Sequence, residues 1–291
     1  TARNQSGSFY TPREIVNYMV DESLIAYLCS QRPDMAREDI RELFASDICP
    51  EKITAEQRED LSKRLKEAKI LDPACGSGAF PMGILTRMVD LLQKLGDSES
   101  TNPHELKLHL IENCIYGVDI QPIAIQISKL RFFISLVCEQ EPTADAADNF
   151  GIKPLPNLET KFVAADTLIG LKKEDSQGNL FEDPDIQITK DKLWGIRHAH
   201  FSAKNSYEKK KYREGDKTDR EHLSVLLENA YGYSKDYAEQ MAKWDPYDQN
   251  TSSEFFDSEW MFGLKEGFDI IIGNPPYIQL QNDSGKLANH Y

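Results

Sequence analysis

From residue 9 to residue 69 the apolar positions recur at helical spacing. Ile15, Val16, Met19, Val20, Leu24 and Leu28 lie three or four apart, the signature of one buried stripe on a helix. Thr11-Pro12 just ahead of them predicts an N-cap followed by proline at the first helical position. Asp39 to Phe44 and Thr54 to Lys69 predict two more helices, the second opened by the capping-box pattern Thr54-x-x-Gln57. Then the period changes. Lys69-Ile70-Leu71-Asp72 is a short strand-like run closing on a glycine-rich turn, and Phe80 to Leu95 returns to helical spacing. Cys114 to Ile120, the helix Pro122 to Glu139 and Thr160 to Asp166 repeat the cycle. Strands interleaved with helices predict right-handed crossovers and a parallel, doubly wound α/β sheet.

From about Leu171 to Asp257 this alternation lapses. Gln177 to Asn179 and Glu182 to Asp185 read as exposed loop, followed by polar helical stretches over Ile186 to Arg213 and Asp219 to Ala242. We read this region as a helical insert. Phe268 to Gly273 supplies a fourth strand, which runs straight into Asn274-Pro275-Pro276-Tyr277. Prolines cannot donate to a sheet ladder, so the strand must stop there. The expected organisation is an N-terminal helical segment (1–68), a cofactor-binding half (69–170), the insert (171–257) and a catalytic strand with its loop (258–291).

Composition narrows the class. The 291 residues are 40% apolar and 28% charged, an ordinary globular balance. No apolar run approaches the roughly 20 residues that span a bilayer, and TARNQSGSFY lacks the layout of a signal peptide. A cytoplasmic protein without membrane contact is expected. Five widely spaced cysteines with no CxxC pair argue against a disulfide framework and against a zinc site, so no metal is expected. The net charge of −14 is unusual for a protein that grips nucleic acid by itself. Its strongest basic cluster, Lys209-Lys210-Lys211-Tyr212-Arg213, reads more simply as a solvated helix face than as a phosphate-binding arm.

Candidate chemistry gathers at the strand ends. Asp72-Pro73-Ala74-Cys75-Gly76-Ser77-Gly78 sits between a strand and a helix, where glycines admit a ligand to the backbone and the helix N-terminus favours a negative group. It is neither GxGxxG nor a Walker loop. Asp119 closes the second strand, placed to accept ribose hydroxyls, and Asp166 closes the third. Both fall on the carboxyl edge of the sheet, where open α/β folds bind ligands. Asn274 to Tyr277 ends the fourth strand on that edge. An amide oxygen, proline-flanked carbonyls and a flat ring together suit a planar base carrying an exocyclic amine.

Together these residues resemble the S-adenosylmethionine-dependent N6-adenine methyltransferases of DNA. Phe9-Tyr10-Thr11-Pro12 looks like that family's upstream cofactor motif, Asp72 to Gly78 matches its DPACGSG loop, and Asn274-Pro275-Pro276-Tyr277 matches its catalytic NPPY. The resemblance implies a Rossmann-like methyltransferase sheet. It implies a ribose acid at Asp119, followed by Ile120, and an adenine-pocket acid at Asp166, followed by Thr167 and Leu168. Cofactor motifs preceding the catalytic one is the γ-type order. With the long insert, the chain is most similar to type IIG restriction–modification enzymes and phage-exclusion methyltransferases. The implied substrate is double-stranded DNA with its target adenine flipped out.

The family's sheet has more strands than the four legible here. The expectation is therefore an N-terminal portion of a longer enzyme, with the basic recognition surface elsewhere, an exposed edge beside the fourth strand, and no nuclease signature in these residues. Two rivals remain at this level. A protein-glutamine N5-methyltransferase faces the same two N–H bonds, and a non-catalytic DNA- or partner-binding subunit could keep the motifs.

Overall fold

The computed structural model of the chain describes residues 11–96, 102–147, 149–171, 184–229 and 234–275. Three helices come first: α1 (Arg13–Gln31), α2 (Arg37–Ala45) and α3 (Ala55–Glu67). The capping box at the head of α3 is present, with Thr54 Oγ1 accepting from the Gln57 amide and Gln57 Oε1 from the Thr54 amide. Then come β1 (Ile70–Asp72), α4 (Ala79–Leu95), α5 (Pro103–Asn113), β2 (Ile115–Asp119), α6 (Pro122–Val137) and β3 (Phe162–Ala164). The remainder is α7 (Pro184–Phe201), α8 (Ser206–Asn229), α9 (Lys235–Lys243), α10 (Ser258–Phe262) and β4 (Ile270–Ile271).

The four strands form one parallel sheet in the order β3-β2-β1-β4. Short as they are, the strands alternate. Ile70, Ile115, Phe162, Ile270 and Ile272 face one core with α1 to α6, whereas Leu71, Tyr116, Val118 and Val163 face a second core with α7 to α10. A parallel sheet needs both faces covered, because its crossover helices leave neither one to water. The region read as an insert supplies that second cover. The sequence pattern concealed this, because the helices carry their buried apolar residues sparsely: long, largely polar stretches separate Leu193 from Leu223 and Leu227 from Met241.

A buried ion network holds the second layer together. Asp216, fully buried on α8, accepts from Arg197 Nε of α7 and from Arg220 Nε one turn along, both at 2.7 Å. Arg197 also donates to the Trp260 carbonyl and lies over the rings of Trp244 and Trp260. Arg220 reaches the carbonyls of Ala242 and Trp244. One carboxylate thus ties α7, α8, α10 and the end of α9 to a single geometry.

Four sequence expectations shift. The helical stretch drawn from Ile186 to Arg213 is broken between α7 and α8, and α8 runs unbroken through residues 213–219. Pro184, read as loop, is the first residue of α7. Helix α5 went unread, although Asn102 caps it and Pro103 opens it. Thr11 is not the cap of α1; Pro12 holds that position and no side chain caps the helix.

Candidate functional site

The residues singled out at the strand ends do meet on the carboxyl edge. The turn after β1 is held from three sides. The Cys75 amide donates to the Val118 carbonyl at 2.8 Å, and the Gly76 amide to Asp119 Oδ2 at 2.9 Å. From α6, the Ser128 hydroxyl donates to the Gly76 carbonyl at 2.9 Å and Arg131 Nη1 to that of Ser77 at 2.9 Å. Thr167 Oγ1 donates to the Pro73 carbonyl at 3.1 Å. Sequence reasoning missed Ser128 and Arg131, since their partners lie about fifty residues away with no local pattern linking them. Gly78 adopts a left-handed conformation, and a Cβ there would sit 2.8 Å from Ser128 Oγ. Only glycine fits. No side chain caps α4 at Gly78, so the positive end of a 17-residue helix faces the loop.

Asp72 is a strongly perturbed carboxyl on this edge. It is 1% exposed; Oδ1 accepts from the Ala74 amide at 3.1 Å, and Oδ2 is buried with no hydrogen-bond partner among the described residues. Burial raises its pKa from the usual 3.8 to about 7, opposed by the Ala74 bond and reinforced by the charge of Asp119. An orphaned buried carboxylate oxygen is a costly feature. Gly273 abuts the same group: a Cβ there would lie 2.5 Å from Asp72 Oδ1. The glycine that interrupts the fourth strand therefore makes room for Asp72. Cys75 is buried, and its thiol is held well above the usual range by that burial, so it supplies no ready nucleophile.

Asp119 is half-buried and accepts from two backbone amides, Gly76 through Oδ2 and Gln121 through Oδ1 at 2.8 Å. Asp166 is buried; Oδ1 accepts from the Leu168 amide at 3.0 Å, and its own amide donates to the Ser253 carbonyl. Ile120 and Leu168, following the two acids, are both largely exposed. Two bare apolar side chains at neighbouring strand ends offer walls for a flat ring. Asn274 is half-buried, and its Nδ2 donates to Thr11 Oγ1 at 3.1 Å, while Pro275 is exposed. Phe9, Tyr10, Pro276 and Tyr277 lie outside the described residues.

Other candidates resolve differently. Within the basic cluster the exposed Arg213 meets Glu159 at 3.3 Å and lies over the Tyr247 ring, and Lys210 pairs with Glu214 one turn on. A cavity of about 410 Å³ lies beside β3, between α6 and residues 240–255, and contains none of the strand-end residues named above. Among the described residues no cluster has the make-up of a metal site, and no helix is long and apolar enough to cross a membrane.

Known proteins resemble this chain in sequence. The chain is 24% identical over 96% of its length to a putative type II restriction enzyme and methyltransferase of Methanocaldococcus jannaschii, covering 28% of that protein. It is 24% identical over 96% of its length to the adenine-specific methyltransferase BrxX of Escherichia coli, covering 23% of it. A Streptomyces coelicolor adenine-specific methyltransferase, PglX, is 28% identical over 46% of the chain. The chain thus spans about a quarter of the length of the two relatives that it matches almost throughout. Residues 113–291, which contain Asp119, Asp166 and the Asn274 motif, match the Eco57I restriction-modification methylase family, and the chain belongs to that family.

Proposed function

We propose that this chain carries the cofactor-binding and catalytic residues of an enzyme that moves a methyl group from S-adenosylmethionine to N6 of an adenine flipped out of double-stranded DNA, in restriction–modification or phage defence. One observation carries the reading. Asn274 follows β4, which pairs directly with β1, and the residue just before it touches Asp72 at the end of β1. A candidate acceptor for the substrate amine therefore stands one strand away from a candidate seat for the methyl donor.

The chain's residues fit the donor's groups. Bound there, S-adenosylmethionine supplies an electrophilic methyl on a positively charged sulfur. The orphaned Oδ2 of Asp72 suits its cationic methionine end, and the uncapped start of α4 suits its carboxylate. Asp119 retains lone pairs for ribose hydroxyls beyond the two amides it already accepts. Ile120 and Leu168 would flank the adenine ring, and Asp166 would accept from its amine.

The substrate side rests on Asn274 and Pro275. An adenine amine is a weak nucleophile because its lone pair is delocalised into the ring. With Asn274 Oδ1 and the Pro275 carbonyl accepting its two N–H bonds, the nitrogen pyramidalises and directs that pair outward. Acceptors fixed in advance also stabilise the positive charge that develops on nitrogen as its bond to carbon forms. Tyr277 would stack on the flipped base, which offsets part of the unstacking cost by ~1–3 kcal/mol. The test is direct: the intact gene product is incubated with methyl-labelled cofactor and either duplex DNA or glutamine-containing protein. N6-methyladenine in the DNA hydrolysate is the expected product. Label in methylglutamine, or in neither substrate, would refute the proposal.

A further inference from the structure

We infer that the cavity beside β3 is a second ligand site, suited to a small molecule with one carboxylate on an apolar body, and that Lys129 of α6 holds the carboxylate. The cavity measures about 410 Å³, within the range of small-molecule pockets. Ile125, Phe162, Val163, Trp244 and Phe255 give it apolar walls, and all five are buried. Lys129 lines the same space and is only 5% exposed. Among the described residues no hydrogen bond or ion pair meets its ammonium. A buried ammonium is costly unless an anion answers it. Burial pulls the Lys129 pKa below its usual 10.5, and the charge of Glu159 pushes the other way. Glu159 gives that support without contact. Its Oε1 accepts from Arg213 Nη2 and Gln249 Nε2, and its Oε2 is buried with no partner among the described residues.

The other charges narrow the ligand. Lys243 borders the cavity, and so do Asp245, Asp248 and Glu254. Asp245 meets Arg220 at 3.5 Å, and Asp248 accepts from the Asn250 amide and the Thr251 hydroxyl. Two lysines against three carboxylates disfavour a phosphate monoester, which carries nearly two charges, and a nucleic-acid strand with a charge at every phosphate. A single carboxylate set against Lys129 is the anion that this balance admits. The Ser253 hydroxyl can serve its second oxygen, since it accepts from the Phe255 amide at 3.3 Å and keeps its own hydrogen to donate. Ser253 also fixes the site beside the candidate cofactor seat, because its carbonyl accepts from the Asp166 amide at 3.0 Å. The two sites are neighbours with separate linings.

The intact gene product tests this by titration with 3-phenylpropionate, followed by saturation-transfer NMR. A dissociation constant of about 5 mM or tighter is expected for a probe of this size. Neutral 3-phenylpropionamide keeps the body and loses the charge, so it should bind at least about tenfold more weakly. Lys129→Met should weaken the carboxylate at least about tenfold and leave the amide within about threefold. Should that variant not fold, Gln240→Trp adds bulk to the cavity from a half-buried position on α9 and should weaken both probes at least about tenfold. Saturating S-adenosylmethionine should leave the affinity for 3-phenylpropionate within about threefold. Equal affinity for acid and amide, no binding of either by the parent, or carboxylate binding that survives the variants overturns the inference. So does tighter binding of inorganic phosphate, or displacement of the probe by S-adenosylmethionine.

Discussion

Asp72 is held in a state that works against folding, and the size of the effect can be worked out. Its carboxyl titrates at about 7 in the folded chain against a usual 3.8, because burial disfavours the charge. The folded protein therefore binds this proton more tightly than the unfolded one. The group favours folding most below pH 3.8, and the advantage drains away as pH rises to about 7. Between pH 5 and pH 8 the loss is ~2–3 kcal/mol, by linkage from those two values. Asp72→Asn removes the titration and can retain the bond to the Ala74 amide. Urea unfolding of both proteins at pH 5 and pH 8 should show the variant gaining ~2–3 kcal/mol on the parent at the higher pH. The same variant should bind S-adenosylmethionine poorly, because the carboxylate that would meet its cationic end is gone. In the parent, affinity should weaken about tenfold from pH 8 to pH 6, as the carboxylate takes up its proton. A stability difference that does not change with pH, together with flat cofactor affinity, would refute this account of the buried acid.

Two further outcomes test the packing around the site. Asp216→Ala strands the guanidiniums of Arg197 and Arg220 in the second core and should cost ~3–5 kcal/mol in unfolding free energy, read from urea midpoints; a cost under ~1 kcal/mol would mean that the network tolerates water. Gly273→Ala drives a methyl to 2.5 Å from Asp72 Oδ1 and should lose ~1–3 kcal/mol of stability. In an Asp72→Ala background that penalty should largely vanish; an unchanged one would show that the crowding lies elsewhere.

What could be read from the residues, and what could not, divides by range. The turn from Asp72 to Gly78 is legible because its demands are local: a strand, a left-handed glycine at position 78 and an uncapped helix start all lie within a few residues. The strands and their parallel pairing were legible from short apolar runs interleaved with helices, whereas their order depends on contacts far apart in sequence. The helices of the insert were legible, but their packing onto the sheet was not, for a physical reason. Their charged residues include Arg197, Asp216 and Arg220, which are buried because they satisfy one another, and hydropathy cannot separate such residues from a solvated face. Thr11 carried a correct signal with the wrong partner. Its position before a proline looked like a cap, yet its hydroxyl serves a side chain more than two hundred residues away. Helix α5 is signalled locally by Asn102-Pro103, a cap followed by a proline at the helix start. Ser128 and Arg131 brace the cofactor loop from a helix whose own pattern spoke only of packing.

Asn274 stands at the centre of the proposal, and one variant separates its role from every other part of the site. In the intact enzyme, Asn274→Ala should leave the dissociation constant for S-adenosylmethionine within about threefold, measured by calorimetry, since the cofactor would be held by the ends of β1, β2 and β3. Formation of N6-methyladenine should fall by ~10²–10³ or more, the scale on which losing one pre-placed group costs a charge-developing step. Methyl transfer that survives the substitution, or that falls only in step with cofactor affinity, would contradict the central claim.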